Sequence, residues 1–169
     1  MTKRDGHDDD SDVHKGACFC GAVRFELRAT RSCTCHCTIC QRLSGAECQT
    51  FWMALSNDAL KVVAGEEALS KINSSENFVR YFCRTCGSPC FNRATKIEMI
   101  DAPITAFDRD ASGRLKRVPA PQLHIFYADR VRDHANPSGT AQYYRALPRG
   151  AEPLAVDAHG AVLDDGDAG

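Results

Sequence analysis

Cys33-Thr34-Cys35-His36-Cys37-Thr38-Ile39-Cys40 places four thiols and an imidazole within eight residues. Soft ligands at this density mark a metal-binding stretch, and the remaining cysteines show the same economy. Cys18 and Cys20 are one residue apart, and Cys83-Arg84-Thr85-Cys86 is a two-residue-spaced knuckle followed by Gly87. Cys48 and Cys90 stand alone. A reducing compartment keeps thiols open, and the tight groups suit a metal better than a disulfide framework built on long loops.

Outward from this stretch, the chain alternates short apolar runs with turns. Val23, Phe25 and Leu27 alternate with Arg24, Glu26 and Arg28, the signature of a half-buried strand over 22–28. Further strands are expected over 47–55, 60–63, 69–72, 78–82, 97–100 and 123–127. Thr38 to Leu43 suits a helical turn ended by Gly45. The polar Asn73–Asn77 reads as a loop, 108–121 as a polar excursion, and Ala141–Ala146 as a short helix. Many short strands, little helix and paired cysteine knuckles predict a mainly β fold of zinc-stapled antiparallel sheets. The expected organisation is an acidic disordered tail over 1–14, one zinc domain over 15–149 and an acidic tail over 150–169, with Pro153–Leu163 at most a loose hairpin.

The 169 residues are 43% hydrophobic and 25% charged, the composition of a globular domain. No run approaches the roughly 18 apolar residues of a membrane helix. The N-terminal residues carry no apolar stretch after Lys3-Arg4, so no signal peptide is expected and the cytoplasm is the expected location. The net charge of −1 conceals a division: residues 13–149 hold 19 basic and 12 acidic side chains, and both termini are acidic. A basic body favours a small anionic ligand. The basic residues are scattered, with no basic block and no stacking motif, which argues against nucleic acid.

Cys18, Cys20, Cys83 and Cys86 make a four-thiolate set, which for a tetrahedral soft-ligand ion means zinc with a filled shell and a structural role. A four-cysteine iron centre commonly uses two two-residue knuckles, which this chain lacks. Cys35, Cys37 and Cys40 supply three thiolates from six residues. Three protein ligands with an exchangeable fourth position is the catalytic zinc pattern. Spacing alone equally allows a closed second site, completed by Cys33, His36, Cys48 or Cys90. Strand alternation turns His36 away from its neighbours' metal. His124 suits a hydrogen-bonded structural role, Phe51 and Trp52 suit the core, and Cys48 and Cys90 read as small buried hydrophobes. His7 and His14 fall in the N-terminal tail and His159 in the C-terminal one.

In order, Gly16-x-Cys18-x-Cys20-Gly21-x-Val23-Arg24-Phe25, Cys35-His36-Cys37-x-x-Cys40-Gln41-Arg42, Arg80-Tyr81-Phe82-Cys83-x-x-Cys86-Gly87-Ser88 and His124-Ile125 resemble the glutathione-dependent formaldehyde-activating family, which shares its domain with centromere protein V. The resemblance spans about residues 14–149. It implies a β-tent, or Mss4-like, fold with two zinc ions per chain. The structural ligands would be Cys18, Cys20, Cys83 and Cys86, and the catalytic ligands Cys35, Cys37 and Cys40. It also implies a carbon–sulfur lyase, with glutathione as co-substrate and formaldehyde or a related small aldehyde as its partner. Arg42, beside the second cysteine group, is the candidate contact for a glutathione carboxylate. Two other readings stand beside this one. One is a non-catalytic zinc module that binds a partner, as the link to centromere protein V permits. The other is a thiol redox sensor using Cys33. The residues do not fix the oligomeric state.

Overall fold

The computed structural model describes residues 13–115, 123–135, 142–145 and 153–163. They form eleven strands in two sheets, with a single α-helix among them. β1 (Val13–Ala17), β2 (Arg24–Arg28) and β5 (Leu60–Ala64) make an antiparallel three-stranded sheet in the order β1-β2-β5. The larger sheet uses β3 (Arg31–Cys35), β4 (Gln49–Ala54), β6 (Leu69–Ser75), β7 (Phe78–Cys83), β8 (Pro89–Ala94), β9 (Ile100–Pro103), β10 (Leu123–Ile125) and β11 (Gln142–Tyr143). Its order is β11-β10-β3-β4-β9-β8-β7-β6. Pairing is antiparallel except at one edge, where β10 runs parallel to both β3 and β11.

The mainly β architecture agrees with the sequence pattern, and several boundaries differ. β6 runs on to Ser75 because Asn73 and Ser75 pair with Val79 and Phe78, so the polar stretch expected as a loop is the end of a hairpin. The strand expected over 97–100 starts only at Ile100, and β8 stands where no strand was expected. Gln142 and Tyr143, expected in a helix, pair with β10 instead, since β10 offers a free edge there. Ala141 and Ala146 lie outside the described residues, as does 116–121 of the polar excursion. β1 already includes Val13 and His14, and His14 packs against Trp52, with ring centroids 4.2 Å apart. Residues 153–163 carry an isolated antiparallel bridge, Val156 to Val162, and a second bridge ties Leu154 to Tyr143.

Period-two geometry assigns each face of the large sheet. Trp52, Ala54, Ile100 and Ala102 are buried with Phe25 and Leu27 of the small sheet and Val23 just before it to form the core. Phe107 joins this seam, 4.5 Å from the Trp52 ring and 5.8 Å from Phe25. The Phe25 ring, on the paired strand β2, lies across Gly16, where an added Cβ would stand 2.6 Å from it and 2.9 Å from the Ala106 carbonyl oxygen. Fully burying side chains of this size contributes roughly 1.5–3 kcal/mol each. On the opposite face lie Cys33, Cys35, Gln49 and Phe51, followed across the sheet by Pro103, Asp101, Asn92 and Arg80 through the registered pairs. Cys35 and the cleft residues Gln49, Phe51, Arg80 and Asn92 share that second face.

Candidate metal centres and active-site cleft

The first cysteine group joins two tight turns. Cys18 and Cys20 lie in the turn after β1, and Gly21 closes it at φ 75° with its N–H donating to the Cys18 carbonyl. Cys83 ends β7, and Gly87 at φ 74° donates back to its carbonyl in the same way. Positive φ costs glycine little, so both knuckles turn sharply enough to bring their sulfurs together. The four ligand atoms of Cys18, Cys20, Cys83 and Cys86 lie within 4.8 Å of one another. Cys18 Sγ is 3.5 Å from Cys20 Sγ, and Cys20 Sγ is 3.8 Å from Cys83 Sγ. Sulfurs at the corners of a zinc tetrahedron stand about 3.8 Å apart, since Zn–S is about 2.3 Å. Both separations are close to that spacing, and the donor set fits zinc. Hydrogen bonds from Ser88 and nearby backbone N–H groups push the Cys86 thiol down to about 5, toward the thiolate that a metal requires.

The second group is built locally. β3 ends at Cys35, and α1 (Thr38–Ser44) starts immediately after Cys37. Cys37 is the N-cap of α1: its backbone is extended, and its sulfur accepts from the Cys40 N–H at 3.4 Å. Gly45, at φ 66°, caps the other end with its N–H on the Gln41 carbonyl. Gln41 fixes the turn from the side by donating through Nε2 to the carbonyls of His36 (2.6 Å) and Asp129 (2.9 Å). Ligand atoms of Cys35, Cys37 and Cys40 lie within 4.8 Å of one another. Thiol hydrogen bonds from Cys35 and then Cys40 hold Cys37 down to about 2, and the same contacts push Cys35 up. Three sulfurs that share protons in this way fit a divalent soft cation, which would displace those protons. Cys33, His36, Cys48 and Cys90 are not members of this group. Cys33 is buried beneath it on β3, and burial pushes its thiol up. Cys90 is fully buried near the first group, as a small hydrophobe would be.

An open cleft of about 110 Å³ adjoins Cys40. Leu43 and Phe51 form part of its apolar wall, and Gln49, Arg80 and Asn92 bring polar atoms. Phe51 is therefore both 7% exposed core and cleft lining. Arg80 was not singled out by sequence reasoning, although its strand alternation and its place opposite Asn92 put it on the cysteine face. Its Nη2 lies 3.7 Å from Cys40 Sγ, its Nε donates to Ser74 Oγ at 3.0 Å, and its guanidinium lies 5.0 Å from the Phe78 ring centroid. A stacked, hydrogen-bonded guanidinium loses little entropy when it takes an anionic partner. Asp101 lies deeper on this face, and burial pushes it up to about 6 against the pull of Arg80 and the Asn92 amide. Arg42 is exposed in the last turn of α1, next to Leu43, and does not line the cleft.

His36 stands on the opposite face, as alternation requires, and Cys48 was misjudged as a simple buried hydrophobe. Cys48 is half-buried and groups with His36 and His134. His124 is buried, stacks on Tyr143 at 4.4 Å and hydrogen-bonds His36 at 2.9 Å.

Residues 13–129 match the family described as glutathione-dependent formaldehyde-activating enzyme. The chain belongs to this family. Its match covers both cysteine groups, α1 and every cleft residue, so the site described above is the family's domain. No curated protein matches the chain. Among solved structures, a Rhodobacter sphaeroides protein determined by structural genomics is 26% identical, with a TM-score of 0.48 over 62% of this chain and 97% of that one. Among the described residues, no helix is long and apolar enough to cross a membrane.

Proposed function

We propose that the chain is a carbon–sulfur lyase that adds glutathione reversibly to formaldehyde or a related small aldehyde, giving S-hydroxymethylglutathione or its analogue. The C–S bond forms as the carbonyl π bond opens, and the thiol proton ends on the former carbonyl oxygen. The observation that carries this reading is the three-cysteine group opening beside a cleft that contains a fixed guanidinium. Cys35, Cys37 and Cys40 would hold zinc, which when bound supplies Lewis acidity and lowers the pKa of a thiol or water.

The remaining work falls to residues of the cleft. Arg80, fixed by Ser74 and Phe78, donates to the oxygen that gains charge as the thiolate attacks. Gln49 and Asn92 orient the aldehyde, and Phe51 and Leu43 exclude water from one side. Arg42, outside the cleft on α1, meets a glutathione carboxylate at the rim. The basic body attracts this anionic co-substrate. Cys18, Cys20, Cys83 and Cys86 would hold the second zinc as a staple. The test is the rate of adduct formation from glutathione and formaldehyde over the uncatalysed rate, with metal content measured in parallel. Acceleration is the expected result. Fully metallated protein that accelerates neither this pair nor any other thiol–aldehyde pair overturns the proposal.

A further inference from the structure

His36, Cys48 and His134 come together on the sheet face opposite the cleft, and nothing in the proposed reaction uses them. One ligand atom from each lies within 4.8 Å of the others. His36 is fully buried, yet its Nδ1 has no hydrogen-bond partner among the described residues, and the buried Nε2 of His134 has none either. Burying one unpaired imidazole nitrogen costs roughly 1–3 kcal/mol. Here two histidines, each with such a nitrogen, converge with a thiol. The rings of His36 and His134 are 4.7 Å apart, centroid to centroid.

The surroundings hold these groups in place. Tyr127 Oη accepts from the His134 N–H at 2.8 Å, and Tyr143 Oη donates to the His134 carbonyl at 2.7 Å. Tyr127 itself donates to the Gly160 carbonyl at 2.7 Å, which ties the C-terminal segment to the same point. On the outer side, Arg132 pairs with Glu47 at 2.6 Å and so links the neighbour of Cys48 to the loop carrying His134. His36 Nε2 and His124 Nδ1 are 2.9 Å apart. If His36 donates in that bond, its Nδ1 carries a free lone pair, and His124 takes the outer-shell acceptor role that orients metal-bound histidines.

We infer that His36, Cys48 and His134 form a third metal site, binding a divalent ion of the zinc class through two imidazole nitrogens and one thiolate. Borderline-soft zinc accepts both donor types, and this set lacks the carboxylates that calcium or magnesium would need. Ligand atoms in a tetrahedral zinc shell stand about 3.5 Å apart, so the set closes by about an ångström, within reach of side-chain rotation at Cys48 and His134. The inference is independent of the proposed reaction: the site faces away from the cleft and is read by metal content, not by turnover.

The experiment compares metal per chain in zinc-loaded, dialysed wild type with Cys48→Ser and His134→Gln. The second variant keeps both tyrosine hydrogen bonds, which are to the backbone of residue 134. The expected result is about one ion fewer in each variant, with thermal unfolding still cooperative. Cobalt-loaded wild type should also show a sulfur-to-metal absorption that Cys48→Ser removes while the bands of the other cysteine groups persist. Equal metal content in wild type and either variant overturns the inference.

Discussion

The two cysteine groups that could hold zinc differ in how much chain they span. Cys35, Cys37 and Cys40 come from one hexapeptide, held by the N-cap of a seven-residue helix. Cys18 and Cys20 meet Cys83 and Cys86 from more than sixty residues away. The loop-closure cost of a contact grows with the chain it encloses, so a metal at the long-range set stabilises the fold. A metal at the local set closes almost no loop and is free to serve chemistry. On the proposed reading one group would be a staple and the other a tool.

The largest effect should come from breaking the staple. Cys83→Ser removes the one fully buried sulfur of the set and is expected to abolish cooperative folding, because structural zinc sites contribute on the order of 10 kcal/mol. Circular dichroism on heating checks this, and a wild-type melt would dissolve the distinction drawn above. Cys37→Ser, at the local set, should keep the melt within about 2 kcal/mol of wild type while removing one ion and all acceleration of adduct formation. Arg80→Ala should come next, lowering kcat about 10²-fold, as loss of one preorganised donor does. Its fold is expected to survive, since the side chain borders an open cleft.

A pH measurement sharpens the same comparison. Asp101 binds its proton more tightly folded than unfolded, at about 6 against 3.8, because burial opposes its charge. The stability this provides is full below about pH 4 and is lost as pH rises through 6, amounting to about 3 kcal/mol. Asp101→Asn removes the ionisation, so the variant should be the more stable protein at pH 8 in urea unfolding, with the gap closing below pH 4. The smallest effect is expected at Arg42. As a rim contact, Arg42→Ala should raise KM for glutathione a few-fold, by about 1 kcal/mol, and leave kcat unchanged.

Much of this was written in local sequence. The cysteine pairs 18/20 and 83/86, the Cys35–Cys40 run, the helix ended by Gly45 and the alternation of 23–28 are short-range signals, and the structure has them where spacing put them. What escaped depends on distant partners. Arg80 becomes a cleft residue only because β7 pairs with β8, which aligns it with Asn92 on the cysteine face. Gln142 and Tyr143 join a strand because β10 presents an edge, whatever their local propensity. Cys48 and His134 gain meaning from a contact between distant segments that no single stretch announces. Alternation placed His36 on the correct face, yet could not say what waited there.

Trp52 is the chain's single tryptophan, and it lies in the seam between the two sheets against Phe107. The protein thus carries its own optical label at the place where the sheets meet. Its emission should be short in wavelength while the seam is closed and move to longer wavelength when the sheets part. A spectrometer can therefore follow sheet separation in the unmodified chain.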